Sequence, residues 1–164
     1  MSNYHIKNLE EYFQVYRKSV RDPENYWAEI AEEHFTWHKR WDKVLEWDFS
    51  KPEVKWFQGA ELNITENCID RHQRTRGDKT AILFEPNDPK EKAEHITYND
   101  LHDRVCKFAN VLKAKGIKKG DRVAAIMPNR PETIIAMLAT TWLGGIWSSC
   151  SPDFGKEGIL ERFE

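Results

Sequence analysis

His34 and His38 stand four residues apart, the spacing of two metal ligands on one helix face. The run reads HFTWH, without the glutamate of HExxH, and no third ligand stands out, so two partly exposed histidines are the expected reading. Asp153-Phe154-Gly155 matches the DFG of protein kinases, but no glycine-rich loop, strand lysine or HRD-type loop accompanies it. Ser148, Ser149 and Ser151 lack a GxSxG elbow. Neither GxGxxG nor a Walker loop occurs, which leaves no nucleophile or phosphate-binding fingerprint. Asp70, Arg71 and His72 form a compact polar cluster, expected to be a solvated helix end.

The remaining candidate is geometric. Open α/β sheets present ligands at the carboxyl ends of their strands. Two such ends carry unusual loops here, Pro128-Asn129-Arg130 and Ser151-Pro152-Asp153-Phe154-Gly155. The second is small, polar and rich in turn formers, although any strand-to-helix turn uses the same residues. The second loop, residues 151–155, is therefore the better binding candidate. No residue is assigned a catalytic or metal-binding role.

These loops need a strand–helix–strand unit behind them, and residues 118–152 supply it. Residues 123–127 are apolar on both faces, the pattern of a strand covered on both sides. Asn129 and Glu132 have capping-box spacing, and Pro131 lies in the first helical turn. Residues 134–143 are nearly all apolar, predicting a helix buried on most of its surface. Gly144-Gly145 ends it, and residues 146–150 resume an extended run.

Upstream, Asn8 and Glu11 open a helix to about Val20, with one apolar stripe of Leu9, Tyr12, Phe13, Tyr16 and Val20. Asp22-Pro23 starts a second helix, whose buried side is expected to be Tyr26, Trp27, Ile30, Ala31 and Phe35. Trp37, Trp41, Trp47 and Trp56 follow with little periodicity, predicting an extended, wrapping segment pinned by indole rings. Residues 62–72 read as helix, with Thr65 as N-cap and Cys68 and Ile69 facing inward. Gly77-Asp78 breaks it, residues 80–84 are β-rich, and residues 86–92 form a polar loop. Thr97 and Asp100 cap an amphipathic helix bearing Leu101, Val105, Phe108 and Leu112 and ending at Gly116. Strand, helix, strand, helix, strand from residue 80 onward predicts an α/β fold of βαβ units with a largely parallel sheet, behind an α-rich N-terminal extension.

At 164 residues the chain is long enough to bury a real core. A formal net charge of −2 argues against nucleic acid or an anionic membrane as the main partner. No apolar run approaches the ~20 residues of a membrane helix. The three cysteines are widely spaced and form no CxxC pair, as in a reduced, cytoplasmic protein. Residues 159–164, ILERFE, look like the opening of a further helix, so the chain reads as a fragment of a longer enzyme.

Four stretches, in order, carry a resemblance: WDKVLEWDFSKPEVKWFQGAELNITENCIDRH, GDKTAILFEPND, HITYNDLHDRVCKFANVLKAKGIKKGDRVAAIMPNRPE and AMLATTWLGGIWSS. The chain resembles the AMP-forming acyl-CoA synthetases, and specifically their acetyl-CoA synthetase branch. The resemblance implies an N-terminal extension over residues 1–75 and the truncated beginning of the AMP-binding, adenylate-forming domain over residues 76–164. One departure follows the second strand, where the acetyl branch carries a histidine, small apolar residues and Phe-Gly-Gly-Phe-Ser. This chain has WSSCSPDFG, which looks like the acetoacetyl-CoA synthetase branch. By position, Ser151, Pro152 and Asp153 fall where the acetyl branch places glycines beside the pantetheine arm of CoA.

The resemblance implies a reaction in two halves. A carboxylate attacks the α-phosphate of ATP to give an acyl-adenylate and pyrophosphate, and CoA thiolate then displaces AMP. ATP, CoA and Mg²⁺ are implied for the full-length enzyme, together with a small-molecule carboxylate and the C-terminal portion of the same chain as partner. The phosphate loop, Mg²⁺ site and lysine that such chemistry needs come later in the family, so the fragment alone is expected to be inactive. Acetate and acetoacetate both stay open as substrates. A free-standing, non-catalytic α/β binding module is the alternative from another class.

Overall fold

A computed structural model describes residues 5–163, in two compact units that divide between Leu62 and Asn63. Glu164, the last residue of the expected terminal helix, lies outside the described residues.

The first unit begins with α1 (Leu9–Arg21), where Asn8 Oδ1 accepts from the Glu11 amide at 2.9 Å. The Glu11 carboxylate reaches one residue further back than a capping box requires, accepting from Lys7 N at 2.7 Å. Asp22 and Pro23 start α2 (Pro23–His34) as expected, and a Lys18–Glu29 ion pair joins the two helices. The α1 stripe exists but is uncovered, and no residue of α1 is buried. The expected buried side of α2 is likewise open: Ala31 is buried, whereas Trp27 and Phe35 are about two-fifths exposed.

The tryptophan-rich stretch corrects the sequence expectation. It is an antiparallel hairpin of β1 (Lys43–Asp48) and β2 (Glu53–Gln58), not an irregular wrap. The register sets Leu45 opposite Trp56 and Trp47 opposite Val54, so a period of two was present in both segments. The Trp37 and Trp41 rings pack with Phe57 at 5.6 and 5.1 Å, and Trp37 Nε1 donates to the Ala31 carbonyl at 2.9 Å.

The second unit opens with a helical run that contains a π turn, Glu66–Asp70, followed by α3 (Arg71–Arg76). Its start is capped by Asn63, whose Oδ1 accepts from Thr65 N at 2.9 Å and Glu66 N at 3.3 Å. Thr65, the expected cap, is instead fully buried and already helical. Ile69 faces inward as predicted, but Cys68 is exposed and Asn67 takes the inward position. An extra residue in the π turn shifts the angular phase, which a 3.6-residue count cannot foresee.

Strand β3 (Thr80–Phe84) pairs antiparallel with β4 (Glu94–Thr97), a short strand the sequence reading passed over. Then comes α4 (Tyr98–Ala114), opened by the predicted Thr97–Asp100 capping box. Strand β5 (Arg122–Ile126), α5 (Pro131–Trp142) and parallel strand β6 (Ile146–Cys150) form the expected βαβ unit. The predicted Asn129–Glu132 box is absent. Arg130 is the N-cap without a side-chain bond, and Pro131 at the first position sets the start one residue later. The other end closes as a Schellman motif: Gly145 N donates to the Thr140 carbonyl, Gly144 N to that of Thr141, and Gly144 has φ of 75°.

The core of this unit joins Ile69, Ile96, Leu101, Val105, Ala109, Ile135, Leu138 and Ala139. It lies where α4, α5 and the π turn meet β4. A short helix, α6 (Gly155–Phe163), ends the described chain.

Candidate functional site

The β5–β6 register pairs Ile126 with Cys150, and Met127 N donates to the Cys150 carbonyl at 3.1 Å. Both loops singled out by sequence therefore leave the ladder at the same end, its carboxyl end. In the second loop, Ser151 Oγ accepts from Asp153 N at 3.3 Å and donates to Asp153 Oδ2 at 2.9 Å. Residues Pro152–Phe154 form one 3₁₀ turn, and Gly155 has φ of 67°, which favours glycine. Pro152 and Asp153 are exposed, as is the Phe154 ring, with Arg162 stacked on it at 5.6 Å. The DFG run thus serves as a strand-to-helix turn.

The first loop is organised by Arg130. Its guanidinium contacts the Glu91 carboxylate at 3.3 Å and the Glu132 carboxylate at 3.6 Å, and lies 5.1 Å from the Phe84 ring. Hydrogen bonding to Glu91 first, and both nearby carboxylates, hold its charge more firmly than usual. Thr133 Oγ1 donates to the Pro128 carbonyl at 2.7 Å, closing the turn that Asn129 was expected to cap.

Other candidates scatter. Helix α2 stops at His34, so His38 lies beyond it and the two do not share a helix face. Among the described residues, no group of three His, Cys, Asp or Glu side chains is arranged to hold a metal ion. Ser148 and Ser149 lie within β6, where Ser149 Oγ accepts from Trp147 Nε1 at 3.2 Å. The three members of the Asp70-Arg71-His72 cluster part company. Arg71 reaches Asn67 at 3.1 Å, and His72 packs on the Tyr98 ring at 5.6 Å. Burial first, then the Arg71 and Arg76 charges, pushes the His72 pKa down.

Asp70 corrects the expectation of a solvated helix end. Its Oδ1 is shielded from water and lies 3.5 Å from His102 Nε2. His102 in turn meets Cys106 Sγ at 3.6 Å from Nδ1 and 3.5 Å from Nε2. Sequence reasoning missed this trio, although His102 and Cys106 are four apart on one helix face. It is not a nucleophilic relay. A relay sets the base between its partners on opposite ring nitrogens, whereas here the thiol lies almost equally far from both and is held as a neutral thiol. Burial first, then the Asp70 and Asp103 carboxylates, pushes the Cys106 thiol up, away from thiolate.

Residues 69–164, more than half of the chain, match the family described as AMP-binding enzyme, and the chain belongs to that family. Residues 12–68 match the acetyl-coenzyme A synthetase N-terminus. The chain is 48% identical over 161 residues to acetyl-coenzyme A synthetase of Saccharophagus degradans, covering 98% of this chain and 25% of the relative. Identity to the enzyme of the same name from Alkalilimnicola ehrlichii is 46% over 153 residues, 93% of this chain and 24% of that one. The structure is similar to acetoacetyl-CoA synthetase from Streptomyces lividans, with a TM-score of 0.80 and 35% identity over 90% of this chain and 22% of that one. The chain thus spans about a quarter of the length of these relatives. The described elements have the fold of the N-terminal part of such an adenylate-forming synthetase.

Proposed function

We propose that the whole protein is an AMP-forming acetate–CoA ligase, which joins acetate to ATP as an acyl-adenylate and passes the acyl group to CoA. One observation carries this reading: two family matches run in order across residues 12–164, among relatives named acetyl-coenzyme A synthetase at up to 48% identity. Residues 1–75 are then the N-terminal extension, and residues 76–164 the beginning of the adenylate-forming domain. The uncovered α1 stripe and the open face of α2 fit an extension that packs against the remainder of the same chain.

Ser151, Pro152 and Asp153 are the CoA-side residues in this reading, by their position in the resemblance to the acetyl branch, and a loop leaving the carboxyl end of a parallel strand supports a ligand-facing role. Among the described residues no group of three His, Cys, Asp or Glu side chains is arranged to hold a metal ion, and no residue is assigned to Mg²⁺. The 164-residue chain alone is proposed to form no adenylate and to hold no ATP tightly. A cytoplasmic location accords with a described chain in which no helix is long and apolar enough to cross a membrane.

Acetoacetate is the second reading, favoured by the WSSCSPDFG loop and by the name of the Streptomyces lividans structure. Pyrophosphate exchange by the whole protein with either acid decides between them. Exchange driven more than tenfold better by acetate supports the first reading. The reverse preference establishes the second, and no exchange with either acid favours a non-catalytic binding module.

A further inference from the structure

Asp70 is a carboxylate that this fold half-buries without a hydrogen-bonding partner for one of its oxygens. Oδ1 is shielded from solvent and accepts no hydrogen bond, and His102 Nε2 stands 3.5 Å away. Both side chains are under one-third exposed, 29% for Asp70 and 28% for His102. The π turn Glu66–Asp70 fixes this placement, and such turns are rare and concentrate at functional positions.

Among the described residues the surrounding charges are few. Glu66 adds a like charge from the same turn, and α4 contributes His102, the Cys106 thiol and the Asp103 carboxylate. Arg71 directs its guanidinium to Asn67, and α5 contributes the uncharged Trp142 ring, 5.7 Å from His102. When ionised, the shielded Asp70 oxygen faces an imidazole that does not complete a hydrogen bond to it. A proton on the Asp70 carboxyl mends this, as a carboxylic O–H facing the ring.

We propose that Asp70 and His102 form a proton-binding pair that ties the π turn to α4 more tightly as the pH falls from neutral to mildly acid. Burial, only partly countered by His102, raises the Asp70 carboxyl above its usual range. A raised folded-state value contributes stability that is present at low pH and lost as the pH rises through that value. The tie therefore tightens on acidification, opposite in sign to a surface bridge between a carboxylate and Lys or Arg.

Hydrogen exchange tests the pair in the whole protein, on peptides spanning residues 66–76. Parent, Asp70→Asn, His102→Gln and the double variant are compared at pH 7.5 and at pH 5.5, so intrinsic exchange cancels at each pH. The coupling between the two substitutions should be larger at pH 5.5, and the parent's protection relative to either single variant should rise several-fold between pH 7.5 and pH 5.5. Coupling that is equal at the two pH values, or smaller at pH 5.5, overturns the proposal. Should His102→Gln fail to fold, the nearly isosteric Asp70→Asn decides alone. The parent must then gain protection relative to that variant on acidification, and an unchanged or falling ratio overturns the idea.

Discussion

The Thr65 hydroxyl, fully buried, donates to the Leu138 carbonyl at 2.8 Å and lies 2.7 Å from Thr141 Oγ1. Asn63 completes the junction, its Nδ2 donating to the carbonyls of Thr141 at 3.1 Å and Trp142 at 3.0 Å. One asparagine thus caps the start of its own helical run and the end of α5, serving orphan groups at both. Thr65→Val keeps the shape and deletes the donor, so it should cost about 1–3 kcal/mol in denaturant unfolding. Ser19→Ala, on exposed α1, should stay within about 0.5 kcal/mol. Equal effects of the two would mean that the buried hydroxyl ties nothing.

The two central apolar residues of α5 should answer differently to charge. Leu138 is 6% exposed and belongs to the core cluster, whereas Met137 is half-buried at its edge. Leu138→Asp buries an unpaired carboxylate and should abolish cooperative unfolding altogether. Met137→Asp can turn its charge toward water and should leave a folded protein with a lowered melting temperature. A soluble, cooperatively melting Leu138→Asp variant would refute the packing described for this helix.

Asp100 offers the acid-side prediction. Its carboxylate accepts from Thr97 Oγ1 at 2.7 Å and from Thr97 N at 3.2 Å, and these bonds hold its pKa below the usual carboxylate range. A depressed folded-state value contributes stability that is present above the unfolded value and lost as the pH falls through the folded one. Asp100→Asn should therefore lower the melting temperature at pH 7 by more than at pH 3. A deficit of the same size at both would show that the charge of the carboxylate is irrelevant to the cap.

The loop after β6 is the place to separate the two proposed half-reactions. In the proposed CoA-side placement, proline and aspartate would deny a ligand the close backbone approach that glycine permits, and Asp153 would set a negative charge beside an anionic cofactor. Pro152→Gly with Asp153→Gly, made in the whole protein, should change KM for CoA by more than KM for ATP. The same change removes the Asp153 carboxylate that receives the Ser151 hydroxyl, so folding must be verified by its melt. Pyrophosphate exchange falling as steeply as thioester formation would assign the loop to the fold or to the adenylate site.

What the residues disclosed by themselves was local. The capping pairs Asn8–Glu11 and Thr97–Asp100, the Asp22-Pro23 start and the Gly144-Gly145 stop were legible because each rests on bonds spanning a few residues, and strands β3, β5 and β6 because their apolar runs lie between turn formers. The hairpin β1–β2 was legible in principle, since Leu45, Trp47, Val54 and Trp56 alternate, but the density of indoles drew attention from the period of two. The family, too, was readable in the order of four stretches along the chain.

Tertiary structure alone decided the rest. Thr65 and Leu138 are 73 residues apart, and no local rule makes one the donor to the other. Asp70 meets His102 because a π turn slips the helical phase by a residue and α4 packs across it, so a cluster that reads as solvated is half shielded. Burial also divided the apolar positions: Leu138 is enclosed while the whole α1 stripe is bare, although both read alike as apolar faces. Periodicity says which side of a helix is apolar, and only the packing of distant elements says whether anything covers it.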